Sequence, residues 1–416
     1  IINLILTSIM FGLAMSSKFS ALVLIPIFIF FIILQVYDFS FRTLFTETVN
    51  KERVKRLTSF GSSLVIIILL TLLIINIVYA FDGSLKTLNE RLRDDPYTYF
   101  DKGYFKPDSI AKRITNNPPL IYVISTTLDY GSSLLPYNYI KEIVSAIRIN
   151  DPALESSATG GYLMGQYSRE GFWYYHLFAF LIKSPIPLLI LISIVFIIHF
   201  KIDFKNEVFL ILPILVFFVF FSLHKTSGGI RYILPTFPFI FVFIGRIFSN
   251  KVMDANKVNF RKLFTPLIIL LMLWYVAESF FIFPNYTAYF NQFIGGSSNG
   301  YKYLQSTDFD AGQDLPLLAK YVNKREINNI KFAYGGTADP FYYLNLTCIA
   351  CPSCPLWALP KCPENCTPMS GTIAVFTALI VYAPNLENVN CFDWIKSYEP
   401  IDKIGYTIFI YNLTKV

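Results

Sequence analysis

The chain has 416 residues, of which 54% are hydrophobic, 17% aromatic and only 15% charged. A soluble protein carries roughly 25% charged residues, so this composition excludes an ordinary cytosolic enzyme, a disordered chain and a small disulfide scaffold. The mean hydropathy of +0.49 points to a polytopic membrane protein with soluble mass attached.

In chain order, seven segments meet or approach the length of about 20 apolar residues that spans a bilayer. They are residues 1–16, 19–37, 60–80, 176–199, 208–224, 232–249 and 265–284. The first starts at Ile1, not Met, inside an apolar run, and is read as a span whose beginning is missing. Recurrence of the pattern along the whole chain excludes a signal peptide.

The net charge of +7 has two candidate origins, nucleic-acid binding and the positive-inside bias of membrane loops. Loops 38–59, 200–207 and 246–263 hold twelve Lys and Arg in about 48 residues, whereas 81–172 holds ten in about 92. Alternating the spans puts the three dense loops on one face, which is then cytoplasmic. Residues 81–172, 225–231 and 285–416 fall outside. The basic surplus is a topology signal. No basic stripe with interleaved aromatics accompanies it, and nucleic acid is not an expected partner. Three sequons, at Asn285, Asn345 and Asn412, and all six cysteines lie on the same expected outer side.

Four segments follow. Residues 1–80 hold transmembrane helices and the cytoplasmic loop 38–59. Residues 81–172 form an extracytoplasmic loop with amphipathic helices, either a lid or a plain connector. Residues 173–284 hold the remaining transmembrane helices, and 285–416 form an extracytoplasmic α/β domain. In that tail, 315–323 reads as a helix, 330–334 as a strand, 339–344 as a helix, 372–379 as a buried strand, 392–398 as helix-like and 406–411 as a final strand. The alternation suggests a βαβ arrangement. The Pro-rich insertion 348–366 carries Cys348, Cys351, Cys354, Cys362 and Cys366, with Cys391 beyond it. Disulfides are the expected state, and a four-thiolate metal site is the alternative. No metal or cofactor is expected.

Three stretches in series carry a resemblance. The first runs from Gly161-Tyr162-Leu163-Met164-Gly165-Gln166-Tyr167-Ser168 through Gly171-Phe172-Trp173-Tyr174-Tyr175 to Lys183-Ser184-Pro185-Ile186-Pro187. The second is Gly229-Ile230-Arg231-Tyr232-Ile233-Leu234-Pro235. The third holds Tyr289-Phe290-Asn291, Gly295-Gly296, Gly300 and Gly312-Gln313-Asp314-Leu315. Together they resemble prokaryotic membrane glycosyltransferases of the protein O-mannosyltransferase type (GT-C, family 39). The fold class implied is an α-helical polytopic membrane protein, GT-C-like, with a small α/β extracytoplasmic C-terminal domain. The activity implied is transfer of a hexose such as mannose from a polyprenyl-phosphate or dolichyl-phosphate carrier. The acceptor is a protein or a lipid on the outer face of a multi-pass plasma-membrane enzyme. The donor lipid, the acceptor and the bilayer are the expected partners. The family's catalytic acid lies in its first outer loop, upstream of these residues, so no catalytic residue is named. A polytopic membrane transporter with an extracytoplasmic domain is the alternative.

Such a transfer needs cations at the departing lipid phosphate. Arg231 is the first candidate, because its planar fork suits phosphate oxygens and it follows Gly228-Gly229 at the outer mouth of a span. Lys225 shares that loop. Lys183 falls inside an apolar stretch where a charge is costly unless it reaches water, a partner or a phosphate, or else residues 171–183 form an interfacial helix and the span starts near Ser184. Lys18 lies in the outer turn between the first two spans. Each has a second reading as an interfacial anchor that snorkels to headgroups. Glu278 is expected to pair with a Lys or Arg on another helix. Asp94, Asp95, Asp101 and Asp129 are loop acids that either face the acceptor or are merely solvated. Trp173 to His176 fits an aromatic interface belt. Asp310, Gln313 and Asp314 are expected to cap the helix that starts at Leu315.

Overall fold

The computed structural model describes residues 2–36, 51–94, 107–114, 117–149, 161–168, 170–198, 204–224, 228–246, 259–305, 312–328, 330–334, 338–346, 349–350, 368, 370–381 and 392–413. The chain is mostly helical, with small sheets, and packs as two units, Ile1–Ala158 and Thr159–Val416. All six cysteines, and with them the expected disulfides, lie outside the described residues, as do Asp95, Asp101 and Asp310.

The first unit holds α1 (Ile2–Ser17), α2 (Leu24–Val36), α3 (Lys51–Val78), α4 (Leu88–Asp94), α5 (Pro107–Ile114), α6 (Pro118–Ser132) and α7 (Tyr137–Ile149). A 3-10 turn, Phe19–Val23, joins α1 to α2. Buried Met15, Ala21, Ile75 and Tyr139 bring α1, that turn, α3 and α7 onto one core. In α3, Thr58–Val78 is long and apolar enough to cross a membrane. Its end is set by Asn76, whose amide donates to the carbonyls of Leu72 (2.8 Å) and Leu134 (2.9 Å). Ala80 and Phe81 then leave the helix at φ of 52° and 56°. Asp129 receives the backbone N–H of Asn89 at 2.9 Å and its side-chain amide at 3.0 Å, so it ties α4 to α6. Arg91 is buried and donates from Nη2 to the Leu135 carbonyl at 2.9 Å. Burial draws its pKa down.

The second unit opens with a hairpin of β1 (Gly161–Leu163) and β2 (Gln166–Ser168), turned by Met164-Gly165 at φ of 51° and 86°. Two left-handed residues in a two-residue loop match the twist of antiparallel strands. Next come α8 (Tyr175–Lys183), α9 (Ile186–Ile198), α10 (Phe204–His224), α11 (Phe237–Gly245) and α12 (Asn259–Ile282). Leu188, Leu191 and Val195 of α9 pack against Ile240, Phe243 and Ile244 of α11 and Ile268 and Leu271 of α12. Buried Glu207 on α10 is paired with Arg246, which closes α11. A buried carboxylate without such a partner would be strongly destabilising.

An apolar helix or helix pair thus occupies each of the seven segments expected to be apolar spans. Among the described residues, α3 and α12 pass as single helices long enough to cross a membrane, and α8 with α9 as a third only if counted together. That pair bends by 111°, so 176–199 is two helices and not one continuous rod. The cause is Ser184-Pro185-Ile186-Pro187. Ser184 is extended (φ −92°, ψ 139°), as a residue before proline prefers. Neither proline can supply a helical N–H.

The remaining elements are β3 (Leu304–Gln305), α13 (Leu315–Lys324), β4 (Ile330–Ala333), β5 (Ile349–Ala350), β6 (Gly371–Phe376), α14 (Thr377–Val381), β7 (Asp402–Ile404) and β8 (Ile408–Leu413). β3 pairs with β1, which completes a three-stranded sheet in the order β2-β1-β3. The second sheet runs β5-β4-β6-β8-β7. β4 is parallel to β5 and β6, while β8 is antiparallel to β6 and β7. It is therefore mixed, not purely βαβ. Its faces read directly from alternation: Ala374 and Phe376 join Leu315 and Leu318 of α13, and Ile373 and Val375 join Phe392 and Ile395. Burial on both faces makes β6 apolar at every position from 373 to 376. The expected helix at 339–344 is a single 3-10 turn, Pro340–Tyr342, and 392–398 also holds a 3-10 helix, Asp393–Ser397.

Candidate functional site

The break between α8 and α9 leaves carbonyls without helical donors. The Leu181 carbonyl would accept from residue 185, which is proline and has no N–H. A segment 106 or more positions later repairs this. The Asn291 amide donates to Leu181 at 2.6 Å and to Ser184 at 2.9 Å, and its backbone N–H donates to Ile182 at 2.9 Å. Asn291 is fully buried, and its own Oδ1 accepts from the Phe293 N–H at 3.1 Å. The tripeptide Tyr289-Phe290-Asn291 is thus a remote cap for α8.

Its neighbours complete the arrangement. Phe290 is buried with Leu163 of β1 and with Tyr175, Ala179 and Ile182 of α8. A Cβ on Gly300 would lie 2.2 Å from the Phe290 ring, so only glycine lets that ring seat. Lys183 is 8% exposed. Its Nζ donates to the Thr287 carbonyl at 2.8 Å and stands 4.6 Å from the Phe290 ring centroid. The ammonium is folded inward onto this segment, unlike the outward reach of the snorkelling reading.

On the other side of the tripeptide, Tyr289 donates to Glu278 Oε2 and Gln292 Nε2 donates to Oε1 at 3.0 Å. Glu278 is buried one turn before the end of α12. The expected Lys or Arg partner is replaced by two neutral donors. They reach it because the chain reverses at Phe283-Pro284 and returns along the helix end. Burial, reinforced by the bond to Glu278, pushes the Tyr289 hydroxyl far above its ordinary pKa. Beside the pair lies a cavity of about 160 Å³, lined by Pro185, Glu278, Ser279, Ile282, Tyr286 and Tyr289.

Arg231 sits at the opposite end of α8. It is exposed, in a 3-10 turn of Ile230–Tyr232, with its guanidinium 5.2 Å from the Tyr232 ring centroid. Tyr232 packs edge-on against His176 in the first turn of α8, at 6.1 Å between ring centroids. Tyr232 thus links the Arg231 turn to the start of α8, whereas Lys183 closes the helix. A Cβ on Gly228 would overlap the Tyr232 ring at 1.5 Å, so this glycine is required where the turn folds back on itself.

Of the four expected phosphate ligands, Arg231 and Lys183 bracket α8. Lys18 is exposed in the first unit, at the N-terminal boundary of Phe19–Val23. Lys225 lies outside the described residues. In the aromatic run, Trp173 is 62% exposed whereas Tyr175 and His176 are fully buried, so only its beginning can serve as a belt. Asp314 does not cap α13 with its side chain. Its Oδ2 instead accepts from Tyr406 N (3.1 Å), Thr407 N (3.2 Å) and Thr407 Oγ1 (2.6 Å), which secures the β7–β8 turn. The roles of Asn291, Tyr289 and Gln292 escape residue-by-residue reading. Their one signal is that two of them belong to a quoted motif. No family model, curated protein or solved structure matches the chain.

Proposed function

We propose that this chain is a membrane glycosyltransferase that moves a sugar, a hexose such as mannose, from a polyprenyl-phosphate carrier to a protein or lipid acceptor on the outer face of the plasma membrane. One observation carries the reading. The first two stretches that resemble the protein O-mannosyltransferase type and the opening of the third, Tyr289-Phe290-Asn291, converge on α8. β1 of the first stretch packs with it, the second stretch lies against its first turn through Tyr232, and Asn291 of the third closes its end. Motifs spread over more than 100 positions that fit one another side chain by side chain form a single constellation. Exposed Arg231 is the residue assigned to the lipid phosphate, because its fork is unburied and suits two phosphate oxygens.

The test uses the full-length protein in nanodiscs with isotopically labelled polyprenyl-phosphate mannose and a hydroxyl-bearing acceptor. Label moves to the acceptor, and Arg231→Ala raises the KM for the donor about 10- to 100-fold, the equivalent of one charged hydrogen-bonded contact. Absence of transfer from every polyprenyl-phosphate sugar tried would sink the proposal. Transport is the second reading, favoured by the 111° break beside a buried carboxylate, since interrupted helices with a charge nearby build transport sites. Solute uptake into proteoliposomes without sugar transfer is its signature.

A further inference from the structure

We infer that the cavity at the end of α12 binds a primary ammonium group, held by Glu278 between the rings of Tyr286 and Tyr289. The argument rests on the hydrogen-bonding inventory of the lining. Its donors are already committed. The Tyr289 hydroxyl donates to Glu278, and Ser279 Oγ donates to the Tyr275 carbonyl at 3.2 Å. The N–H of Tyr286 goes to Pro284 at 3.0 Å and that of Tyr289 to Tyr286 at 3.2 Å. Pro185 has no N–H, and Glu278, Ser279 and Ile282 lie within α12. Among the described residues, the Tyr286 hydroxyl is the lining donor left over.

Acceptors remain in excess. Each carboxylate oxygen of Glu278 takes one hydrogen bond and has a second lone pair, and the Tyr289 and Ser279 oxygens still accept. A surface of acceptors around a buried carboxylate repels phosphate and selects a ligand made of donors. Charge then separates an ammonium from a neutral polyol. Both partners of Glu278 are neutral, and no Lys, Arg or His is among its described partners. A buried carboxylate in that state is stabilised far more by a cation than by a hydroxyl. The two tyrosine rings add attraction for a cation that a polyol does not gain. The volume of about 160 Å³ falls below the roughly 300 Å³ where drug-sized pockets begin, so the site takes one headgroup and not a lipid-linked sugar. The ammonium can come from a free amine or from an aminophospholipid headgroup. The inference does not depend on glycosyl transfer, and its test reads binding alone.

The experiment places the full-length protein in phosphatidylcholine nanodiscs and titrates ethanolamine by calorimetry. A second set of nanodiscs contains phosphatidylethanolamine, and retained lipid is read by native mass spectrometry. Saturable ethanolamine binding that Glu278→Gln weakens at least tenfold identifies the free amine as a ligand. Phosphatidylethanolamine retained by the native chain and lost from Glu278→Gln identifies the lipid as the source. Ser279→Leu, which fills the cavity and keeps the carboxylate, abolishes either signal, and it decides the matter if Glu278→Gln does not fold. Equal binding of ethylene glycol, binding indifferent to both variants, or no retained amine from either source would overturn the inference.

Discussion

The Asn291 side chain stands in for the backbone N–H that Pro185 lacks, donating to the Leu181 carbonyl at 2.6 Å. Two positions more than 100 residues apart therefore answer one another. Asn291→Ala strands the carbonyls of Leu181 and Ser184 and is expected to lower stability by about 2–6 kcal/mol, at about 1–3 kcal/mol for each lost partner. Asn291→Asp is expected to be at least as damaging, because it replaces a donor with a second acceptor. In a Pro185→Ala background, residue 185 regains an N–H, and the penalty of Asn291→Ala shrinks. A double-mutant cycle on thermal unfolding in detergent checks this, and strict additivity would contradict it.

Gly228→Ala drives a methyl group into the Tyr232 ring, where the unshifted gap is 1.5 Å. The Arg231 turn must move away from α8. The expected loss is about 1–3 kcal/mol of stability, typical of overpacking. Donor affinity falls with it. Pairing Gly228→Ala with Tyr232→Ala, which removes the ring, should recover most of the stability in the same melting assay.

Asp314→Asn leaves the β7–β8 turn with a weaker, uncharged acceptor for three donors. Charged hydrogen bonds contribute about 1.5–3 kcal/mol each and neutral ones about 1, so a loss of about 2–4 kcal/mol is expected. It should be local. Amide exchange should quicken at Tyr406 and Thr407 and along β8, while α9, α11 and α12 keep their protection.

The Tyr411 hydroxyl, on β8, is pushed up to about 12 by burial. An unfolded tyrosine ionises near 10. Below that pH both states hold the proton and stability is flat. Between 10 and about 12 the unfolded chain releases it first, so stability falls as pH rises. Tyr411→Phe should flatten part of that slope. The measurement is the denaturation midpoint as a function of pH, with phenolate absorbance as a parallel readout.

Hydropathy and the period of apolar residues located the helical segments because both depend only on local composition. α13 and β4 were legible for the same reason, whereas the strand expected over 372–379 stops at Phe376, where α14 takes over within an apolar run that suits either element. The bend at Pro185 was legible only as the alternative in which a helix ends at 183 and the span starts near Ser184, because an average over 176–199 dilutes two prolines among 17 apolar neighbours. The β1–β2 hairpin lacks the Asn-Gly signature of its turn and uses Met164-Gly165. Most of the site is illegible for a deeper reason. Glu278 looks like half of an ion pair until the reversal at Pro284 supplies Tyr289 and Gln292. Asp314 looks like a cap until Thr407 arrives from 93 positions away. Partnership across such distances is a property of the folded backbone.

Tyr289 and Asn291 flank Phe290, and their side chains bond to different helices. One hand holds α12 through Glu278, and the other holds the end of α8. The tripeptide is a short rigid coupling, with Phe290 locked beneath it against sliding. Glu278 is thereby joined to the break at Ser184-Pro185 through a single tripeptide. The cavity touches both Pro185 and Glu278, so whatever fills it meets the two helices where this tripeptide ties them together.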